Sequence, residues 1–273
     1  MYVSVVIPAL NEERTVAEVV KGALRFADEV IVVDDGSTDR TAELARSAGA
    51  RVVRHRRRMG VYRAFKTGFG LARGDVIVTM GADGQHDPAD IPRLLEPIKA
   101  GKADLVLGVR HEIPHFSERF IRALVCLVLP CSDASTGMIA IRKAFLAQMP
   151  LRGDCPCGTL VLEAYALGAR IAEVPIVVKP RRYGRRRVRT RHVRQTFFVL
   201  FDVGIAAVKR FCRLWRRGPF KYGLTATPVV VEKVSIFLGT HGVISLYTED
   251  YPIAQTTTGH GDKDMRRATI FLR

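Results

Sequence analysis

The chain has 273 residues, of which 43 are Lys or Arg and 27 are Asp or Glu, for a formal charge of +16. With 48% hydrophobic residues, the composition excludes disorder, and the length suits one large domain with or without an appendage. No segment recurs, which argues against a solenoid. The excess charge is local: residues 181–217 hold 13 Lys or Arg against Asp202 alone, leaving +4 for everything else.

In chain order, the β-branched run Val3–Ile7 reads as a strand, Thr15–Phe26 has helical spacing, and Glu29–Val33 is a second buried-strand run. The opening MYVSVVIPALNEE has no basic start and turns polar after ten residues, so it predicts a strand and not a signal peptide. Alternation continues with helix over Asp39–Ser47, strand over Arg51–Arg54, helix over Ala64–Ala72, strand over Asp75–Met80, helix over Ile91–Lys99 and strand over Asp104–Gly108. This pattern predicts right-handed crossovers and a mainly parallel α/β sheet with helices on both faces. There follow a helix near Phe116–Leu129, a loop over Cys131–Gly137, a strand near Met138–Ile141, a helix near Leu160–Leu167 and an edge strand over Ile171–Val178. The core is expected to close near Pro180. Residues 218–273 shift toward Thr, Gly and His and hold one β-like run, Val229–Leu238; no role is read from them.

Five cysteines, an odd count without a Cys-x-x-Cys pair, fit a reducing compartment and plain, partly buried thiols. Cys155-Pro156-Cys157 as a redox or metal fragment is the alternative. The longest apolar stretch, Phe197–Val208, is broken by Asp202 and falls short of the ~20 residues that span a bilayer. No transmembrane helix is expected.

In open α/β sheets, ligands sit beyond the carboxyl ends of the strands. Here four such ends are polar: Pro8-Ala9-Leu10-Asn11-Glu12-Glu13, Asp34-Asp35-Gly36-Ser37-Thr38-Asp39, Gly81-Ala82-Asp83-Gly84-Gln85-His86 and Gly108-Val109-Arg110. They are expected to converge on one crevice. The first lacks the Gly-x-Gly-x-x-Gly of a dinucleotide fold, and no phosphate loop ending in Gly-Lys-Ser/Thr is present.

Six segments in order, VSVVIPALNEE, VIVVDDGSTDRT, ARGDVIVTMGADGQHDP, DLVLGVR, DASTGM and LEAYALGARIAEVPI, give a chain that resembles the inverting glycosyltransferases of family 2, which have the GT-A fold. The resemblance covers about residues 1–187 and is strongest to dolichol-phosphate mannosyltransferases and related polyprenyl-phosphate sugar transferases. It implies a nucleotide-sugar pocket lined by Pro8, Leu10, Glu12, Val32, Asp34, Ala82 and Asp83. Asp34, at a strand end, can accept hydrogen bonds from a base or ribose; Ser37 and Asp39 are better suited to turn and helix-cap roles.

The resemblance also implies a divalent ion, Mg2+ or Mn2+, at Asp-x-Asp-x-Gln-His, but the first Asp is Gly81 here. Asp83 and Gln85 remain as ligands of a weakened site, with diphosphate and water completing the shell; a plain turn stabilised by Asp83 is the alternative. Gly60-Val61-Tyr62-Arg63 replaces the small residues the family carries there, so Tyr62 is expected to thicken the pocket wall.

A phosphate acceptor is already anionic at neutral pH, so the chemistry calls for cations and proximity more than for a general base. Asp83 and Arg110 are the expected catalytic residues. Arg110, Arg119, Arg122, Arg186 and Arg187 are the expected acceptor-phosphate contacts, with a solvated surface role open for Arg119 and Arg122. Asp133 and Ser135 fall in a loop that matches the family imperfectly, with Thr136 in the register of its Ser.

Val193, Phe197, Leu200, Gly204, Val208, Phe211 and Trp215 recur at steps of three or four beside Arg191, Arg194, Lys209, Arg213 and Arg216, a basic amphipathic helix of interfacial type. It favours an anionic membrane surface over nucleic acid, since no reading helix, zinc site or RNP motif accompanies it. The expected organisation is a GT-A domain over 1–180, a membrane-surface segment over 181–217 and a tail over 218–273. The expected activity is transfer of mannose or glucose from a GDP- or UDP-hexose to a polyprenyl or dolichyl phosphate, by a peripheral protein at the cytoplasmic face of the cell membrane. The alternative is a non-catalytic polyanion- or membrane-binding protein on a degenerate GT-A scaffold.

Overall fold

The computed structural model describes residues 1–111, 116–129, 131–181, 183, 191–217, 234–238, 244–248 and 266–270. Its first half alternates as expected: β1 (Val3–Ala9), α1 (Val16–Leu24), β2 (Glu29–Asp34), α2 (Thr41–Ser47), β3 (Arg51–Arg54), α3 (Val61–Leu71), β4 (Val76–Thr79), α4 (Ile91–Lys99) and β5 (Leu105–Arg110). Then come α5 (Phe116–Cys126), β6 (Ile139–Arg142), α6 (Lys143–Leu146), α7 (Thr159–Ala166), β7 (Ile171–Ile176) and the long α8 (Arg191–Arg217).

Seven strands form one sheet in the order β3-β2-β1-β4-β6-β5-β7. All neighbours pair in parallel except at β6, which runs antiparallel to both β4 and β5. Successive side chains of a strand face opposite sides, and the sheet uses both. Val6, Ile31, Val33 and Ile77 enter one core with α3, α5, α7 and α8. Val5, Ile7, Val30, Val32, Val76 and Val78 enter the other with α1 and α4. Helix α3 reaches the sheet closely because Gly68 lacks a Cβ, which would meet Val6 and Val33.

The core does not close at Pro180. Residues 1–217 form one compact unit, because α8 packs on α5 and α7. Its inward positions are Gln195, Val199, Asp202 and Ala206, while Phe197 and Leu200 of the apolar stripe, and Phe201 beside them, are exposed. Phe197 and Leu200 thus face outward, whereas two polar residues, Gln195 and Asp202, face in. Residues 218–273 form a second unit, in which β8 (Val234–Leu238), β9 (Ile244–Thr248) and β10 (Arg266–Ile270) make an antiparallel sheet. Residues 229–233 of the expected β-like run lie outside the described residues. Among the described residues, no helix is long and apolar enough to cross a membrane.

Asp202 shares Arg152 Nη1 with Glu163, at 2.9 and 3.8 Å, and its Oδ2 is buried without a hydrogen bond. Burial first, then the Glu163 charge, push its carboxyl up to about 6 from 3.8, against Arg152. A raised folded value means that this site stabilises the fold fully below the unfolded value and that the contribution is lost as pH rises through about 6. Relative to wild type, Asp202→Asn should therefore gain stability between pH 4 and 7 by on the order of 2 kcal/mol, measured by urea unfolding across that range.

Candidate active site

The polar ends of β1, β2 and β4 meet where the strand order reverses around β1, the switch point at which open α/β sheets bind ligands. Hydrogen bonds stitch the first two ends together. Asn11, at φ 52°, takes Ser37 Oγ on its amide at 2.9 Å and accepts the Thr38 amide at 2.9 Å. The Glu12 amide donates to Thr41 Oγ1 at 2.8 Å and that of Glu13 to Asp39 at 3.2 Å. Asp39 also receives the Thr41 amide at 3.0 Å, an Asx-turn just before α2, which is the turn role expected of it. Burial opposes ionisation of Asp39, but the Thr41 and Glu13 hydrogen bonds outweigh it and hold the carboxyl below 3.8. The β4 end joins through Thr15 Oγ1, which donates to the Ala82 carbonyl at 2.7 Å.

Within this frame, Glu12 and Asp83 face each other across one cation. Arg181 donates to Glu12 through Nη2, its Nη1 lies 3.8 Å from Asp83 Oδ2, and its Nε donates to the Tyr183 carbonyl at 2.7 Å. The segment leading to it is strapped to the β4 end: the Lys179 amide donates to the Gln85 carbonyl at 2.8 Å, Gln85 Nε2 to the Lys179 carbonyl at 3.2 Å, and Lys179 Nζ pairs with Asp87 at 2.8 Å. Beside the bridge lies a cleft of about 200 Å³ lined by Asn11, Glu12, Glu13, Arg14, Asp39 and Tyr183.

Asp34 is wholly buried. Its Oδ1 accepts the Ser37 amide at 2.9 Å and the Ser37 hydroxyl, and Oδ2 lies 3.0 Å from Arg54 Nε. Val32 is wholly buried in the core, whereas Pro8 and Leu10 are partly exposed at the β1 end. Neighbouring Asp35 is the structural member of the pair: it accepts the Met59 and Gly60 amides at 2.7 Å each and meets His55 Nδ1 at 2.9 Å.

Arg110 closes the far side. It makes a bidentate pair with Asp133, at 2.6 and 2.9 Å, and its Nη1 lies 3.0 Å from Glu118. Burial disfavours the guanidinium charge, but Asp133 and Glu118 outweigh this and raise its pKa. The loop carrying Asp133 also packs Gly137 on His86, so closely that a Cβ would lie 2.9 Å from Cε1. His86 Nδ1 accepts the Gly81 amide at 3.3 Å. Burial lowers the His86 pKa below 6.5, opposed by Asp83, so the imidazole is a neutral acceptor there.

For the divalent ion that the resemblance implies, the residues that would hold it are Asp83 and Gln85, whose amide nitrogen is engaged by the Lys179 carbonyl and whose amide oxygen is left to bind. A Cβ at Gly81 would lie 3.2 Å from Asp83 Oδ1, so an acidic side chain there would add its carboxylate beside Asp83. Among the described residues, no three His, Cys, Asp or Glu gather as a metal site. Two protein oxygens suit a hard ion that takes its remaining ligands from a diphosphate and water.

Two expectations are corrected. Tyr62 does not line a pocket: it is 2% exposed, inside the core that α3 shares with α7 and α8, because α3 starts at Val61 and turns the ring inward. Cys155 and Cys157 are not plain thiols but are joined in a disulfide, since a turn brings their Cα atoms to 5.3 Å. Arg119 and Arg122 lie exposed on α5, and Arg186 and Arg187 lie outside the described residues. The sequence marks Arg181 as the first residue of the basic run 181–187 but does not show its carboxylate partners, and it gives no sign of Arg54, since a basic residue at the end of a strand, here β3, is too common to read without the sheet.

Asp35→Ala should free the Met59 and Gly60 amides, costing about 3 kcal/mol in urea unfolding and raising hydrogen exchange at those two amides.

The profile of glycosyl transferase family 2 matches residues 4–147, just over half of the chain. Dolichol-phosphate mannosyltransferase from Pyrococcus furiosus is 34% identical over 200 residues, covering 64% of this chain and 56% of that protein. Undecaprenyl-phosphate 4-deoxy-4-formamido-L-arabinose transferase from Edwardsiella ictaluri is 39% identical over 123 residues, covering 41% of this chain and 38% of that protein. The chain therefore spans well under two thirds of the length of these relatives. Among solved structures, glucosyl-3-phosphoglycerate synthase from Mycobacterium tuberculosis, in complex with Mn2+, UDP-glucose and phosphoglyceric acid, superposes with a TM-score of 0.65 at 26% identity, covering 74% of this chain and 80% of that one. With this GT-A sheet and the matched strand ends, the chain belongs to glycosyl transferase family 2.

Proposed function

We propose that this protein transfers a hexose from a nucleotide sugar to a polyprenyl phosphate at the cytoplasmic face of a membrane. The observation that carries the reading is the convergence of Glu12 and Asp83 on Arg181 at the switch point, in a chain whose relatives are named for dolichol phosphate and undecaprenyl phosphate. Asp34 and Glu12, with Pro8 and Leu10, serve the nucleoside end. Asp83 stands at the diphosphate end. Mg2+ or Mn2+, held by Asp83 and Gln85 together with diphosphate oxygens, would supply positive charge to the leaving group; Mn2+ accompanies UDP-glucose in the mycobacterial synthase.

The acceptor phosphate needs no base to remove a proton, so the residues around it have to orient it and offset charge repulsion. Arg110 suits that task. Asp133 fixes the guanidinium plane through two of its N–H groups, with the Glu118 carboxylate 3.0 Å from Nη1, and an arginine has five. Support for a membrane surface comes from exposed Phe116 and Phe120 on α5, Leu127 just after it, and Phe197, Leu200 and Phe201 on α8, two helices that pack together, in a chain whose basic excess falls in residues 181–217. Exposed apolar side chains in a chain with so basic a segment match the boundary of an anionic leaflet.

A second reading, polyanion binding without turnover, is favoured by the two-oxygen donor set left by Gly81. Radiolabelled transfer from a panel of GDP- and UDP-hexoses to a lipid extract separates the two. Label is expected in the organic phase and should fall at least ~100-fold in Asp83→Ala, in line with the loss of a residue acting on developing charge; nucleotide binding with no labelled lipid from any donor would support the second reading. Gly81→Asp should move half-saturation to lower metal concentration, because it adds an oxygen ligand. A chelator-insensitive rate unchanged by Gly81→Asp would exclude the Asp83–Gln85 ion site.

A further inference from the structure

The disulfide between Cys155 and Cys157 closes a loop of very few residues. The entropy a cross-link removes from the unfolded chain grows with the logarithm of loop length, so this bridge is a poor staple for the fold. Its action is local, on the backbone of residues 155–157, and that backbone is what α8 grips. Gln195, wholly buried, accepts the amides of Asp154 and Cys155 at 3.1 Å each and donates to the Cys157 carbonyl and Thr159 Oγ1 at 3.2 Å each. Gly158 approaches Val199 so closely that a Cβ would lie 2.9 Å from its Cγ2. Arg152, on the same loop, pairs with Asp202 at 2.9 Å. Three inward positions of α8, namely Gln195, Val199 and Asp202, thus rest on one short loop.

The bridge is also open to exchange from one side. Cys155 is 5% exposed, whereas Cys157 is half-buried at the edge of the core, so of the two sulfurs that of Cys157 is the one nearer to solvent. Attack at Cys157 Sγ forms a mixed disulfide and expels Cys155 Sγ as a thiolate. That sulfur lies 3.3 Å from the Cys157 amide, near the start of α7, and both features favour an anion. The second thiol of a dithiol reductant then attacks the mixed disulfide. The reductant leaves as a cyclic disulfide, and the protein gains two electrons and two protons as two thiols.

We propose that Cys155–Cys157 is a thiol–disulfide exchange site, and that its reduction by a dithiol frees the loop from Gln195 and loosens α8 from α5 and α7. The full chain, with and without dithiothreitol, is alkylated and peptide-mapped, and hydrogen exchange is followed over residues 195–206. Alkylation at Cys155 and Cys157 is expected only after reduction, together with about tenfold faster exchange in α8 and unchanged exchange in β1, β2 and β4, as fits the loss of one or two hydrogen bonds. Gln195→Ala should loosen α8 while leaving the disulfide intact, and the double variant Cys155→Ser with Cys157→Ser should be loose with or without reductant. If the double variant does not fold, the comparison of oxidised and reduced wild type decides alone. Alkylation of both cysteines without reductant, or equal α8 exchange in the two states, overturns the proposal.

Discussion

Parallel pairing of β1 with β2 on one side and β4 on the other obliges the loops after all three strands to leave the sheet at the same edge. Each strand is mostly apolar on both faces, so the charged residues gather past the strand ends. The site follows from that constraint. Ser37, Asp39 and Thr41 tie the β2 end to Asn11, Glu12 and Glu13, and Thr15 ties the β1 end to Ala82. A crevice made this way is held by backbone hydrogen bonds to short side chains, and the carboxylates of Glu12 and Asp83 meet at Arg181.

Charge at the crevice is balanced pair by pair. Arg54 meets Asp34, Arg181 meets Glu12 and Asp83, and Arg110 meets Asp133 and Glu118. The strongly positive composition is therefore not expressed at these contacts, where carboxylates match or outnumber the arginines. A buried arginine with two carboxylate neighbours keeps its charge and its orientation but has less net attraction to offer. The basic excess resides in the segment from Arg181 to Arg217, which includes a helix whose Phe197 and Phe201 face outward.

Helix α8 is unusual in being anchored by polar residues. Gln195 satisfies four groups of the Cys155–Cys157 loop, and Asp202 takes one nitrogen of Arg152 while its other oxygen stays unpaired. An interface of this kind depends on every partner being in place, because each buried polar group left alone costs more than a lost apolar contact. The same helix thereby joins the domain through groups that respond to proton and thiol chemistry.

Most of the strand and helix positions in residues 1–110 were legible in the sequence, because β-branched runs and 3.6-residue spacing are local properties. The six segments were enough to place the chain among family 2 glycosyltransferases, and the polar strand ends to mark where a site would form. Local pattern could not reveal that β6 runs antiparallel between β4 and β5, that Tyr62 turns into the core, or that Arg181 crosses to Glu12, 169 residues away in sequence. Nor could it show that α8 turns Gln195 and Asp202 inward and Phe197 outward, since an amphipathic pattern states that two faces differ and not which face meets the protein. Those choices rest on partners brought together only when the sheet closes and α5, α7 and α8 pack against it, where burial decides which polar groups must find each other.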